Sequence, residues 1–481
     1  MVIAGLLLYL FAFQGLRGLW ETSEGRYADV ALEMLRLDDW LQPKLHYEHP
    51  HWTKPPVTYW AIAASVQAFG RTEMAARLPG VLAFAVSTLL VFVLGRLFCP
   101  ERAWLPALIY ATFLFPATAS NMVTTDNLLT LAETAAVTGF AYAYWGAAGS
   151  FGARYGALLG WAASGIGYLI KGPAVALPLL ALAIFHGARG RKLSGVRLHW
   201  VAGPLLAAAI GSSWYLLLSG DRPGLFLDFL WNEVILRAVT GREHRHPEWY
   251  GALVAYGPVL AVGTLPWTLT VWGSLKNGVR DIWRSRRGQG RPVADHDLFL
   301  ILWVLVPLTV FVLARSRLPL YLLPLFVPLA ILAARAAART LLRRPGWWRL
   351  PVTGAALVLV VRITAGLVSV PQDDRALAAQ LRNLAPPDLR EVVFVDTDTQ
   401  LGLSFYLDAE VEAISTKSIA ETGEAEGTLA EEFAETEGPR LWLVRSTEAE
   451  RFAGLVGSMD RRPQPLGRVE GRKEYTVFRV W

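Results

Sequence analysis

The sequence predicts a polytopic α-helical membrane protein of about eleven spans that ends in a small α/β domain. Three observations carry that prediction. Of 481 residues, 53% are hydrophobic and 18% are charged, against roughly 45–50% and 25% in soluble domains. The mean hydropathy is +0.35 and there are 19 Trp, a residue that favours the interface between hydrocarbon and water. The composition also changes along the chain. Up to Val370 it is a series of apolar runs, each near the length a helix needs to cross a ~30 Å core; after Pro371 charge is frequent and the runs stop. This division predicts a membrane domain over 1–370 and an accessory domain over 371–481.

The runs that read as spans are 2–19, 80–98, 103–120, 127–148, 154–170, 172–187, 199–218, 251–272, 297–314, 318–336 and 350–370. The first lacks a basic flank and a small-residue cleavage site, so it reads as an uncleaved span. The run 57–70, VTYWAIAASVQAFG, is short for a crossing and suits an interfacial helix. Charge supports that choice. With 57–70 kept out of the count, Arg102, Arg154, the 189–197 and 276–291 clusters and Arg339 to Arg349 share one side. The positive-inside rule makes that side cytoplasmic, and the net charge of +6 then reflects membrane topology, not nucleic-acid binding. Cys99 is the only cysteine, which excludes an intramolecular disulfide.

The same sorting puts nearly every unusual polar cluster on the outer side: Glu21–Arg26, His46–Lys54, Asp126, Lys171, Arg242–His246 and Arg315–Arg317. Charges at the ends of apolar segments are costly, so their convergence on one face points to a shared site. Tyr27 to Leu37 has the pattern of a short helix lying on the membrane, opened by Glu24 and Arg26. Lys54 precedes Pro55-Pro56, a corner that resists helix and can hold an ammonium toward an anion. Thr125 or Asp126 can cap the helix that follows. Lys171, before Gly172-Pro173, stands at membrane depth without a sequence-local carboxylate, and a phosphate is a natural counter-ion for it.

The loop 219–250 contains Arg237 and His244-Arg245-His246, a weak zinc signature without a partner motif. Arg315 and Arg317, near Tyr321, offer guanidiniums suited to phosphate. Carboxylates at Glu21, Glu24 and Asp126 among these cations fit displacement of a lipid phosphate from a sugar: cations stabilise the leaving group, and a carboxylate deprotonates the acceptor.

Taken together the motifs resemble the GT-C membrane glycosyltransferases, in the aminoarabinose transferase and protein O-mannosyltransferase-like group. SEGRYADVALEML, DDWLQP, TKPPVTYW, FGRTEMAARLP, TTDNLL, IKGP, WNEVILR, GREHRHPEWY, LPW and ARSRLPLYLLP occur in family order over roughly residues 15–335. The resemblance implies a GT-C-like fold with periplasmic juxtamembrane helices, a polyprenyl-phosphate sugar donor, a lipid or protein acceptor, and an inverting transfer. It implies a bacterial inner-membrane protein with its site facing the periplasm. Glu24 matches the second acid of the family's Asp-Glu-x-Arg-Tyr pattern, Ser23 stands at the first, and Glu21 is an alternative base. Arg26, Lys54 and Lys171 match positions thought to face the lipid phosphate, and Tyr27, Arg237 and Tyr321 join them as substrate contacts. Arg317 stands where the family often has Lys. The acid proposed to bind a metal is Thr53 here, while His244 matches its histidine partner, so a divalent metal is left open.

The segment after 371 lacks this signature. Asp374–Leu384 reads as a helix; Glu391–Asp396, Leu441–Arg445 and Glu474–Trp481 read as strands, and 416–438 as helix plus loop. The alternative functions are an O-antigen ligase or polymerase and a lipid-linked sugar flippase. The early EGRY and KPP segments argue against the first, and the lack of internal repeats against the second.

Overall fold

The computed structural model describes all residues except 1–7, 22, 46–48, 190–195, 197, 237–238, 241–244, 290–291, 417–426 and 435–437. The chain forms two compact units. One comprises Met1–Ala12, Trp52–Thr58 and Arg77–Arg362; the other comprises Phe13–His51, Tyr59–Ala76 and Ile363–Trp481. The second unit therefore takes in two N-terminal stretches that sequence places with the membrane domain.

The fold is mostly helical, as expected. Five described helical runs are long and apolar enough to cross a membrane: Glu73–Phe98, Phe151–Arg189, Asp295–Leu313, Pro319–Thr340 and Arg349–Leu367. Val57–Phe69, Ala202–Leu218 and Gly251–Val262 are apolar but shorter. Thr125–Trp145 has 21 residues, but its acids and threonines lower its hydropathy. Those threonines turn inward along the helix: the hydroxyls of Thr130, Thr134 and Thr138 each donate to the carbonyl four residues back, at 2.6–2.7 Å.

Several expected spans are interrupted. The run 103–120 forms Trp104–Thr112 and Leu114–Ala119, parted at Phe113, which has extended geometry. The run 251–272 ends its first helix at Val262 and begins the next at Thr268. The two interruptions satisfy each other. Leu114 N donates to Leu265 O at 3.1 Å, Phe115 N to Gly263 O at 3.0 Å, and Trp267 Nε1 to Thr112 Oγ1 at 3.0 Å. Backbone freed at membrane depth persists only when protein supplies its partners.

Of the first run, 2–19, the described residues 8–11 are helical and turns begin at residue 12. Arg362, 2% exposed within the helix Arg349–Leu367, reaches this end. Its Nη1 donates to Tyr9 O at 2.8 Å, and its Nη2 to Ala117 O at 2.8 Å and Ser120 Oγ at 3.1 Å. One guanidinium thus caps two helix ends, where partial negative charge collects.

Strands β1 (Lys44–Leu45) and β2 (His49–Pro50) form a small antiparallel pair. The C-terminal sheet has β3 (Glu391–Val395), β4 (Glu410–Ser415), β5 (Gly427–Thr428), β6 (Arg440–Arg445), β7 (Pro463–Glu470) and β8 (Glu474–Val480). Their order is β5-β4-β3-β6-β8-β7. Pairing is parallel from β5 to β6 and antiparallel at β8 and β7. Val392 and Phe394 pack with Leu377 and Leu381 of the helix Asp374–Arg382. Val393 and Val395 face the opposite way, with Phe452 and Val456 of Ala449–Ser458. Burial on both faces is why EVVFVD reads as an unbroken apolar strand.

Candidate functional site

The site in the first unit is built by a helical hairpin. Thr125–Trp145 and Phe151–Lys171 each contain 21 residues and run antiparallel through a short turn. Equal lengths bring the first turn of one level with the last turn of the other. Glycines let the two approach closely: a Cβ on Gly139 would strike the backbone of Gly156 and Gly160. Thr124 caps the first helix and also donates its hydroxyl to Asp126 Oδ2 at 2.8 Å. Gly172, at φ +66°, ends the second with a turn that an L side chain resists.

Asp126 and Lys171 consequently form an ion pair, Nζ to Oδ1, with side chains only 6% and 13% exposed. Lys171 has no sequence-local carboxylate, and the fold supplies one from 45 residues away. The ammonium also lies 4.7 Å from the centroid of the Tyr321 ring, a cation–π contact. Glu133, seven residues beyond Asp126 on the same helix, is buried within electrostatic reach of both charges. Sequence reading missed it; the signal available was a lone acid at two-turn spacing inside an apolar run.

The Lys54 corner belongs to the same neighbourhood. Val57, three residues on, packs against the cluster of Leu129, Ile170 and Val175. Phe229 lies against Gly172, and Glu233, one turn later, pairs with Lys54 at 3.5 Å. Lys54 Nζ also donates to Thr53 O at 2.8 Å. Arg317 does different work from the phosphate grip that sequence suggests. Its Nη1 donates to His246 O at 2.6 Å and Glu248 O at 2.8 Å, and its Nη2 to Val312 O at 3.0 Å. A guanidinium so engaged fixes the 245–248 loop. A cleft of about 570 Å³ in this unit, between Thr268–Arg286 and Asp295–Leu313, includes none of the candidate residues.

Glu21, Glu24, Arg26 and Tyr27 lie in the second unit. The helix there is Glu24–Arg36, starting three residues before the expected Tyr27. Glu24 is 1% exposed and grips Arg17 with both oxygens, Nη2 to Oε1 at 2.9 Å; it also accepts from Trp20 N at 3.0 Å. Such a carboxylate is a strong tie within the turn. Arg26 lies 5.9 Å from the Tyr27 ring, and its buried Nε has no hydrogen-bond partner among the described residues. Glu21 Oε1 accepts from Gly402 N at 2.9 Å. Arg237 and His244 fall outside the described residues.

For a divalent metal, the hydroxyl of Thr53 is a poor substitute for a carboxylate. Glu391, Glu412 and Glu432 cluster in the C-terminal sheet domain, but Arg440 lies among them, 2.6 Å from Glu391 and 2.9 Å from Glu432. That guanidinium already fills the place a cation would take.

Residues 53–216 match the family model described as dolichyl-phosphate-mannose-protein mannosyltransferase. The chain is 34% identical over 339 residues to the undecaprenyl phosphate-alpha-4-amino-4-deoxy-L-arabinose arabinosyl transferase of Edwardsiella ictaluri, covering 68% of this chain and 57% of that protein. It is 33% identical to the protein of the same description from Aeromonas hydrophila, over 67% of this chain and 56% of the other. The matched region thus spans less than two thirds of these relatives. The crystal structure of ArnT from Cupriavidus metallidurans bound to undecaprenyl phosphate superposes with a TM-score of 0.79 at 19% identity, covering 99% of this chain and 97% of the other. An Archaeoglobus fulgidus oligosaccharyltransferase structure matches at 0.53 and 13% identity, covering 85% and 63%.

The fold is therefore that of the GT-C membrane glycosyltransferases. Within that class, the chain belongs to the ArnT and protein O-mannosyltransferase-like family.

Proposed function

We propose that this protein transfers a sugar from a polyprenyl-phosphate donor to a cell-envelope acceptor, either a glycolipid such as lipid A or a protein. The observation that carries the reading is the Asp126–Lys171 pair held at level helix ends beside Tyr321. The donor phosphate competes with Asp126 for the Lys171 ammonium, and Lys54 adds a second cation. When Lys171 turns to the phosphate, Asp126 loses its ion-pair partner and becomes available as a base. The acceptor hydroxyl or amine gives its proton to Asp126 and bonds to the anomeric carbon. The carbon–oxygen bond to phosphate breaks, with inversion, and Lys171 stabilises the departing charge. Arg26 and Tyr27 are further substrate contacts in this reading, and Glu24 and Arg17 fix the turn that carries them.

The relatives' descriptions name an undecaprenyl-phosphate-linked sugar, and the ArnT crystal structure holds undecaprenyl phosphate. Both support this donor class. Purified protein given an undecaprenyl-phosphate-linked pentose or hexose should release undecaprenyl phosphate only when acceptor is present. Release without a glycosylated product, or none with any donor, overturns the reading. Mass spectrometry of glycolipids and envelope proteins from cells with and without the gene separates the acceptor classes.

We place the protein in the bacterial inner membrane with this site on the periplasmic side. Reporters fused after residues 195 and 288 should then read cytoplasmic, and those near 240 and 420 periplasmic. Matching signals at 288 and 240 would overturn the topology.

A further inference from the structure

The C-terminal segment from Gln372 to Tyr406 is tied closely to the turn that precedes Glu24. Glu21 N donates to Gln372 O at 3.0 Å, Asp374 N to Leu19 O at 3.0 Å, and Leu19 N to Tyr406 Oη at 2.9 Å. Arg375 Nη2 reaches Leu16 O at 2.7 Å. At the centre of these ties two carboxyl groups face each other. Glu21 Oε1 is held by Gly402 N, and Asp374 Oδ1 by Gln400 Nε2 at 2.9 Å. Arg472 N donates to Gln400 Oε1 at 3.0 Å, which fixes which end of that amide meets Asp374. The glycines at this crossing are required: a methyl on Gly25 would overlap the Glu21 carboxyl, and one on Gly402 would overlap Asp374.

Asp374 is fully buried, and no N–H or O–H among the described residues reaches its Oδ2. Asp374 Oδ2 and Glu21 Oε1 both stand against Gly402, and the two carboxyls lie within hydrogen-bonding reach of each other. Two carboxylates in such a place repel, whereas one proton between them satisfies both. We propose that Asp374 is a positioning residue for the Glu21–Tyr27 turn, acting through a single proton held between its carboxyl and that of Glu21. The proposal rests on the reading that Arg26 and Tyr27 of this turn contact substrate, and it gives the C-terminal domain a part in transfer.

The other charged groups around the pair are Arg26 on the helix Glu24–Arg36, Arg472 on the β7–β8 turn, and Asp373. Burial is the largest influence on both carboxyls and raises both; for Asp374 the nearby Glu21 charge raises it further. Carboxyls raised on folding stabilise at low pH, and that stabilisation is lost as pH climbs through their folded values. The tie therefore loosens above the ordinary carboxylate range.

Hydrogen exchange of backbone amides 16–27, corrected for intrinsic rate, reads the tie in the full-length protein without substrate. Wild-type protection should fall at least about tenfold as the pair loses its proton, the change expected for one unit of pKa displacement. Asp374→Asn supplies a permanent donor and should flatten that dependence; Asp374→Ala should lose protection at every pH. The kcat of transfer should follow protection in all three proteins, with KM for the donor nearly constant. If Asp374→Asn titrates like wild type, the shared proton is wrong. If protection behaves as expected and kcat ignores it, the positioning role falls while the tie stands. Glu21→Gln, which offers its amide to Asp374, makes the same test should Asp374→Asn fail to fold.

Discussion

Asp126→Asn should lower the rate of sugar transfer by on the order of 10²–10⁴, the usual cost of losing a general base. The asparagine keeps the shape and the Thr124 hydrogen bond but cannot take the acceptor proton. It also frees the Lys171 ammonium, so binding of the donor phosphate should hold or tighten while kcat collapses. That split matters, because a fold defect would weaken binding and turnover together. Glu24→Gln is the comparison. Its amide cannot hold Arg17 at both oxygens, so the Leu16–Tyr27 turn should slacken and transfer should fall less, with normal inversion of the sugar. Equilibrium binding of polyprenyl phosphate and single-turnover transfer, measured on both variants, decide the matter. A well-folded Glu24→Gln protein without turnover, beside an active Asp126→Asn protein, would move the base to Glu24.

Arg362→Leu should destabilise the membrane unit by about 3–5 kcal/mol, measured as reversible unfolding in detergent micelles. The sign is the informative part. Hydropathy alone favours leucine, since a charge in an apolar helix is costly to insert. In the structure, however, Arg362 supplies the carbonyls of Tyr9 and Ala117 and the hydroxyl of Ser120. Each buried acceptor left without a donor costs ~1–3 kcal/mol. Arg362→Lys keeps the charge but not the fork, and should recover only part of the loss. An Arg362→Leu protein as stable as wild type would show that water or lipid headgroups reach those helix ends.

The helical runs, the C-terminal strands EVVFVD, LWLVR and EYTVFRVW, and the family motifs are legible in sequence because each depends on neighbouring residues. Hydropathy finds a run such as 103–120, but it does not register that Phe113 leaves the helix, because the compensating carbonyls belong to Gly263 and Leu265. Arg362 passes as a blemish in the last apolar run until its acceptors are seen. Lys171 and Asp126 are both conspicuous as sequence features, yet their pairing follows from two helices having the same number of turns. Arg317 misled for a related reason. An arginine at an outer boundary suits phosphate, and nothing local reveals that backbone carbonyls already occupy it. The strands Glu410–Ser415 and Pro463–Glu470 escaped because one mixes acids with short apolar residues and the other contains two prolines.

The paired interruptions at Phe113 and at 263–267 also impose an order of events during synthesis. The amides of Leu114 and Phe115 find their acceptors some 150 residues later in the chain, and at ~5–20 residues per second the ribosome takes on the order of 8–30 s to deliver them. Until then an amide exposed in hydrocarbon would be costly, so the nascent segment 103–120 should enter the bilayer as one straight helix and break only when Gly263 and Leu265 arrive. A ribosome stalled before residue 250 would therefore hold an unbroken helix there, and the finished fold would exist only after that early helix had been remodelled by a late one.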